Sequence, residues 1–245
     1  VVLQSTVEQK KSDSSIHNHA ASKSMLSAEE DDNFEETSSP LTEAVLDWIG
    51  QFYSLERFAV AKEAFFAAAG KVFPDDPIYN QRMEYFLEYF VFQRPFEIPI
   101  EGIANVTPYE LFARLGRKPE LCVIDSVRHS IFEILKVKED QITITDLLID
   151  ERLTVHQVSK ASIFEIIKKE LFQGFVFFNE GTVTLGRGLI FHPKQVNKII
   201  RKNLKKAMKK PEGNGEESLF ALARQQLKSY RHHNVHPKQI YQLTF

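Results

Sequence analysis

The chain has a single cysteine, Cys122, among its 245 residues. That excludes an intrachain disulfide framework and any multi-cysteine zinc site, and it fits a reducing compartment, so a cytoplasmic location is expected. No run of about 18 uninterrupted apolar residues occurs, and no membrane span is expected. The opening VVLQSTVEQKKSDSS has no basic region leading into an apolar stretch and does not read as a signal peptide. It also lacks an initiator methionine, as a trimmed chain or an unusual start codon would leave it. Catalytic signatures are missing too. There is no GxSxG and no HExxH, and the one GRG, Gly186 to Gly188, lacks the lysine and Ser/Thr of a phosphate-binding loop.

What is present is enough apolar material, 43% of residues, to bury a real core in one or two domains. The net charge of −2 conceals an uneven distribution. Residues 1–40 hold three lysines against eight acids, whereas residues 191–245 hold twelve Lys or Arg against three acids. An acidic body therefore ends in a basic segment.

The polar, Ser-rich stretch 1–37, with its SAEEDDNFEE run, cannot bury enough apolar surface to offset the entropy of ordering, so a disordered acidic tail is expected. Order begins at SSPLTEAVLDWIGQFYS, where Ser39 can cap, Pro40 opens the helix, and Leu41, Val45, Trp48, Ile49 and Phe52 share a face. LERFAVAKEAFFAAAG repeats the helical spacing and stops at Gly70. A third helix over DDPIYNQRMEYFLEYFVFQRP takes Asp76 as its cap. TPYELFARLG carries a Thr107-x-x-Glu110 capping box, and PELCVIDSVRH predicts a fifth, short helix. From Ser130 the pattern alternates and is rich in Ile, Val and Thr, with turns at KEDQ and DER. LFQGFVFFNEGTVTLGRGLIF reads as a hairpin about Asn179-Glu180-Gly181. KASIFEIIKKE fits either a short helix or a strand. HPKQVNKIIRKNLKKAMKK and SLFALARQQLKSYRHH return to helical spacing, separated by PEGNGEE. The expectation is an α+β protein: a tail (1–37), a helical bundle (38–129), a small antiparallel β-barrel-like module (130–192) and basic C-terminal helices (193–245).

The succession YFLEYFVFQRPF, TPYELF, SIFEILKVKEDQITITDLLIDERLTVHQVS and FVFFNEGTVTLGRGLIFHP resembles a family of uncharacterised bacterial proteins. In that family a helical W/F-F-x-F-x-R-P segment precedes a small β-module, and some members carry a SEC-C-type zinc motif. The resemblance spans about residues 80–195 and rests on apolar and turn residues, so it implies a fold and brings no activity with it. The cysteines of the zinc motif are lacking here, and metal binding by that route is not supported.

Six features compete as functional candidates. The densest aromatic stretch puts Tyr85, Phe86, Tyr89, Phe90, Phe92 and Phe96 within twelve positions. A helix apolar most of the way round is normally sandwiched between other elements, so this reads as core and domain junction, with a ligand or partner pocket as the alternative. The histidines at 17 and 19, and at 232, 233 and 236, are metal-capable side chains without the acidic and second-layer partners of a catalytic site, and no metal or cofactor is expected. Cys122, inside LCVI, fits a buried thiol better than a reactive one. Asp146, Asp150 and Glu151 are turn carboxylates for which an acid/base pairing is the minor reading, and GRG fits a bend in a strand. The basic run is the one charged feature of weight: Lys194, Lys198, Arg201, Lys202, Lys205, Lys206, Lys209 and Lys210 occur without an acid among them. Val196, Ile199, Ile200, Leu204, Ala207 and Met208 form its apolar stripe. Such a surface can be a solvated face held by the chain's own acidic tail, or can bind nucleic acid, an acidic protein or anionic lipid. The function expected is a non-enzymatic cytosolic protein-interaction module, the alternative being a nucleic-acid-binding protein that uses helix 194–210. An enzyme ranks third, since no nucleophile, cofactor cradle or metal cage is legible.

Overall fold

The chain is seen here as a computed structural model that describes residues 40–96, 100, 102–116, 124–138, 141–156, 170–209 and 215–242. The expected tail 1–37, Ser39, His17, His19, Cys122, Lys210 and all but the last residue of KASIFEIIKKE lie outside the described residues.

Among the described residues four helices come first: α1 (Pro40–Ile49), α2 (Leu55–Ala69), α3 (Tyr79–Phe92) and α4 (Pro108–Leu115). Their ends follow local chemistry. Ser54 caps α2 by accepting the Arg57 N–H, and Gly70 ends it at φ +103°. The Thr107–Glu110 capping box on α4 is complete, each side chain receiving the other's backbone N–H. The cap expected at Asp76 is not formed. Helix α3 begins at Tyr79, and the Asp76 carboxylate instead accepts the Phe73 N–H at 2.8 Å and pairs with Arg231 at 2.5 Å. A guanidinium arriving from the far end of the chain outcompetes a local capping role.

Six strands follow among the described residues: β1 (Ser126–Val137), β2 (Ile142–Asp146), β3 (Glu151–Val155), β4 (Leu171–Asn179), β5 (Thr182–Leu185) and β6 (Ile190–His192). They form one antiparallel sheet in the order β3-β2-β1-β4-β5, with β6 pairing the first residues of β4 alongside the β5 ladder at its end. The helix expected over PELCVIDSVRH is overturned where it can be seen. Ser126 to His129 are already strand, pairing with Phe178 to Phe175 of β4, because the alternation that marks β1 starts four residues before the expected boundary at 130. The turn expected at DER also shifts. Leu147 to Asp150 make it, Asp150 at φ +59°, and Glu151 and Arg152 are strand. The hairpin at Asn179 is as read: Asn179 pairs with Thr182 across Glu180 and Gly181, whose φ of +45° and +78° are those of a type I′ turn.

The sheet curls into a half-barrel. Strand β1 is long enough to pair with β4 through its first half and with β2 through its second, bending at an irregularity between Ile134 and Lys136. His156, just past β3, donates its N–H to Val183 of β5 at 2.9 Å and draws the two ends of the sheet together. Inside the curl Phe132, Ile134, Ile142, Ile144, Val155, Phe172 and Val176 are buried against one another. The outer face is covered as well, which is why β4 reads LFQGFVFF rather than as a half-polar alternation. Phe175 and Ile190 pack into the aromatic core of α1 to α4.

Beyond β6, a 3₁₀ turn (Lys194–Val196) leads into α5 (Asn197–Ala207), followed by α6 (Gly215–Arg231) and the short α7 (Pro237–Ile240). These C-terminal helices cover Ile131 and Leu171 with Val196, Ile200, Leu204, Leu222 and Tyr241. The fold is thus α+β, a curled antiparallel sheet between N-terminal and C-terminal helices. Among the described residues no helix is long and apolar enough to cross a membrane.

Candidate functional site

The aromatic stretch is core. Tyr85, Phe86, Phe90, Phe92 and Phe96 are all buried, with Phe86 and Phe90 edge-on to Phe58 at 5.3 and 5.0 Å. The turn carboxylates serve structure too. Asp146 accepts from the Ser130 hydroxyl at 2.5 Å and the Leu148 N–H at 2.9 Å, and Arg128 reaches both Glu151 (2.8 Å) and Asp146 (3.7 Å). Gly186-Arg187-Gly188 form the β5–β6 connection rather than a bend within a strand. His236 caps α7, accepting the Lys238 N–H, and His233 lies against the Tyr230 carbonyl. Among the described residues no three His, Cys, Asp or Glu side chains gather as metal ligands.

The basic run divides by structure. Lys194 sits in the 3₁₀ turn, and α5 proper starts at Asn197. Val196, Ile200, Leu204 and Ala207 are buried as the stripe requires, while Ile199 is half-buried and Met208 is 41% exposed at the helix end. Lys194, Lys198, Lys202, Lys205, Lys206 and Lys209 are exposed, and among the described residues none of them forms an ion pair. Arg201 does not belong with them. Its guanidinium pairs with Glu133 of β1, a carboxylate otherwise facing the C-terminal helices from the sheet. The expected eight-membered cationic surface therefore loses its arginine to a tertiary partner.

Under the helices lies a polar chain that no sequence pattern announced. Its members stand on the outer face of the sheet, on α3 and at the C-terminal end of α7. The Tyr241 hydroxyl meets His192 Nδ1 at 2.9 Å, and His192 Nε2 meets Gln173 Oε1 at 3.2 Å. Gln173 Nε2 donates to the Tyr85 hydroxyl at 2.9 Å and to the Leu219 carbonyl at 3.1 Å, and the Tyr85 hydroxyl meets His129 Nε2 at 2.6 Å. One set of proton positions satisfies every link. The Gln173 carbonyl can only accept, so His192 carries its proton on Nε2 and takes the Tyr241 proton on Nδ1. Tyr85, already accepting from Gln173, then donates to His129, so all the donors point one way. Burial holds both histidines neutral, pushing each down to about 3, and pushes the Tyr85 and Tyr241 hydroxyls up.

Two charged residues on α3 are buried beside this chain. Arg82, 1% exposed, donates Nη2 to the Ala223 carbonyl (2.6 Å) and to Gln226 Oε1 (2.7 Å). Glu88, 4% exposed, accepts the backbone N–H groups of Arg187 (2.6 Å) and Gly188 (3.2 Å). The signal that could have found Arg82 is its phase: it falls four residues before Phe86 and eight before Phe90, on the buried stripe. Gln173 is likewise the one amide inside an apolar strand. The chain matches no protein-family model, and neither a curated protein nor a solved structure matches it.

Proposed function

We propose that the protein is a non-enzymatic interaction module and that the lysine side of α5 is the surface that engages its partner, an acidic protein segment. The observation that carries this reading is the pairing of Ile200 and Leu204, anchored in the core at 0% and 2% exposure, with lysines at 198, 202, 205, 206 and 209 standing exposed and, among the described residues, without an ion pair. A helix held from behind presents its charges at low ordering cost, which favours recognition over a merely solvated face. The titratable groups that chemistry would need are committed elsewhere: Asp146 to Ser130, Glu151 to Arg128, and His129 and His192 to the buried polar chain. An acidic protein segment is favoured over nucleic acid because α5 presents no aromatic on which bases could stack, while the half-exposed Met208 beside Lys209 suits an apolar protein contact.

The test is titration of the full chain with a polyglutamate peptide, duplex DNA and mixed-sequence RNA at two salt concentrations, using wild type and Lys198→Glu/Lys202→Glu/Lys205→Glu. Arg201 is left intact, since a carboxylate there would face Glu133. Expected are binding of the acidic peptide that weakens steeply with salt, loss of binding on charge reversal, and an unchanged melting temperature. Failure of polyglutamate to bind at low salt, or binding indifferent to the reversal, overturns the reading. Tighter binding of DNA or RNA would replace the protein partner with nucleic acid.

A further inference from the structure

The buried guanidinium of Arg82 is only half satisfied. Both Nη2 protons are used, by Ala223 O and Gln226 Oε1, whereas Nε and Nη1 are buried and make no hydrogen bond. Nor does a carboxylate pair with it among the described residues. Asp76, the acid whose charge reaches it, is held by Arg231 at 2.5 Å and by the Phe73 N–H. A buried cation with idle donors and no paired carboxylate among the described residues is costly, and such groups cluster where a ligand completes them.

One residue links it to a groove of about 330 Å³, lined by Phe191, His192, Pro193, Gln226, Ser229 and Tyr230. Gln226 belongs to both places, lining the groove and occupying one Nη2 proton of Arg82. Nε and Nη1 lie on different edges of the guanidinium, so neither can form a fork with the other. Each forms a fork only with Nη2. Moving the Gln226 carbonyl aside frees an Nη2 proton and completes a two-pronged edge of the kind that receives a carboxylate through parallel hydrogen bonds. The groove supplies the rest: Phe191, Pro193 and Tyr230 offer an apolar wall for the body of the ligand, and Ser229 a hydroxyl.

We propose that Arg82 anchors a binding site for a small organic carboxylate with an apolar body, entered through this groove, with the side-chain amide of Gln226 as the internal stand-in that the ligand displaces. The site is independent of the α5 lysines, and its existence does not depend on their role.

Benzoate is the probe, with benzyl alcohol as its uncharged counterpart and sulfate as the control for ionic strength, each titrated into the full chain and followed by thermal shift and by NMR. Benzoate is expected to stabilise the protein saturably, to perturb the resonances of Gln226 and Ser229, and to outdo both controls. Because Arg82→Met can simply fail to fold, the decisive variant is Gln226→Glu. Its own carboxylate takes the fork, so it is expected to be at least as stable as wild type and to lose about tenfold or more in benzoate affinity, the worth of one charge-assisted hydrogen bond. The proposal is overturned if benzoate gives no saturable response, if sulfate at matched ionic strength or benzyl alcohol reproduces it, or if Gln226→Glu binds benzoate as wild type does.

Discussion

The carboxylate of Glu88, in the middle of α3, receives the backbone N–H of Arg187 at 2.6 Å from the β5–β6 connection, 99 residues away. With the Gly188 N–H on its other oxygen, it fastens that connection to the helix. Burial nevertheless outweighs both hydrogen bonds and pushes its pKa up to about 8, with the Glu84 charge adding to the rise. The folded chain therefore binds more protons than the unfolded one between the ordinary carboxylate value of 4.5 and about 8. The stabilisation linked to this group is fully present at the acid end of that window and is lost as pH rises through about 8. Chemical denaturation above pH 6.5, where the buried histidines have finished titrating in the unfolded chain, should show stability falling with pH in wild type. Glu88→Gln, which cannot ionise, should flatten the alkaline side, and an unchanged slope would show that Glu88 is not the group responsible.

His129 and His192 act in the opposite sense. Both are held down to about 3 by burial against an ordinary value of 6.5. The unfolded chain takes up their protons first, and the stability they contribute, present above 6.5, is lost as pH falls toward about 3. Set against Glu88, the two histidines should place maximal stability near pH 6.5. His192→Gln should make the acid side shallower, a change that denaturation at a series of pH values below 6 would detect.

Gly188 lies so close to α3 that a Cβ there would overlap the backbone N and Cα of Tyr85, whereas a Cβ on Gly181 in the β4–β5 turn would meet nothing. Gly188→Ala should therefore separate the connection from the helix at a cost of about 3 kcal/mol or more. Gly181→Ala, strained only by its φ of +78°, should cost about 1–2 kcal/mol. Urea midpoints of the two variants compared with wild type check the order, and equal losses would refute the close packing of GRG on α3.

Phe86 and Phe90 are 0% and 1% exposed in the aromatic core. Truncating either to alanine should cost about 3–5 kcal/mol through lost transfer energy and a residual cavity. Leu55→Ala, at a position 84% exposed, should stay within about 0.5 kcal/mol of wild type. Thermal melts of the three variants decide the matter.

The features legible in the sequence are those whose causes lie within a few residues. The Thr107–Glu110 box, the Asn179–Thr182 turn, the aromatic stripe of α3 and the apolar stripe of α5 each depend on local spacing, and each is where the spacing puts it. Composition and alternation were enough for the α+β class. What only tertiary structure decided is the choice of partner between side chains remote in sequence. Asp76 had a local offer, the start of α3, and took Arg231 instead. Arg201 read as one more cation on a basic helix until β1 brought Glu133 beneath it. Arg82 and Glu88 carry the same charges as many surface residues, and nothing in their neighbours along the chain says that α6 and the β5–β6 connection will close over them. Local hydrogen bonds and periodic burial are short-range and repeat from helix to helix. The pairing of distant charges is set by the register of the sheet and by which helix it faces, and those are properties of the folded whole.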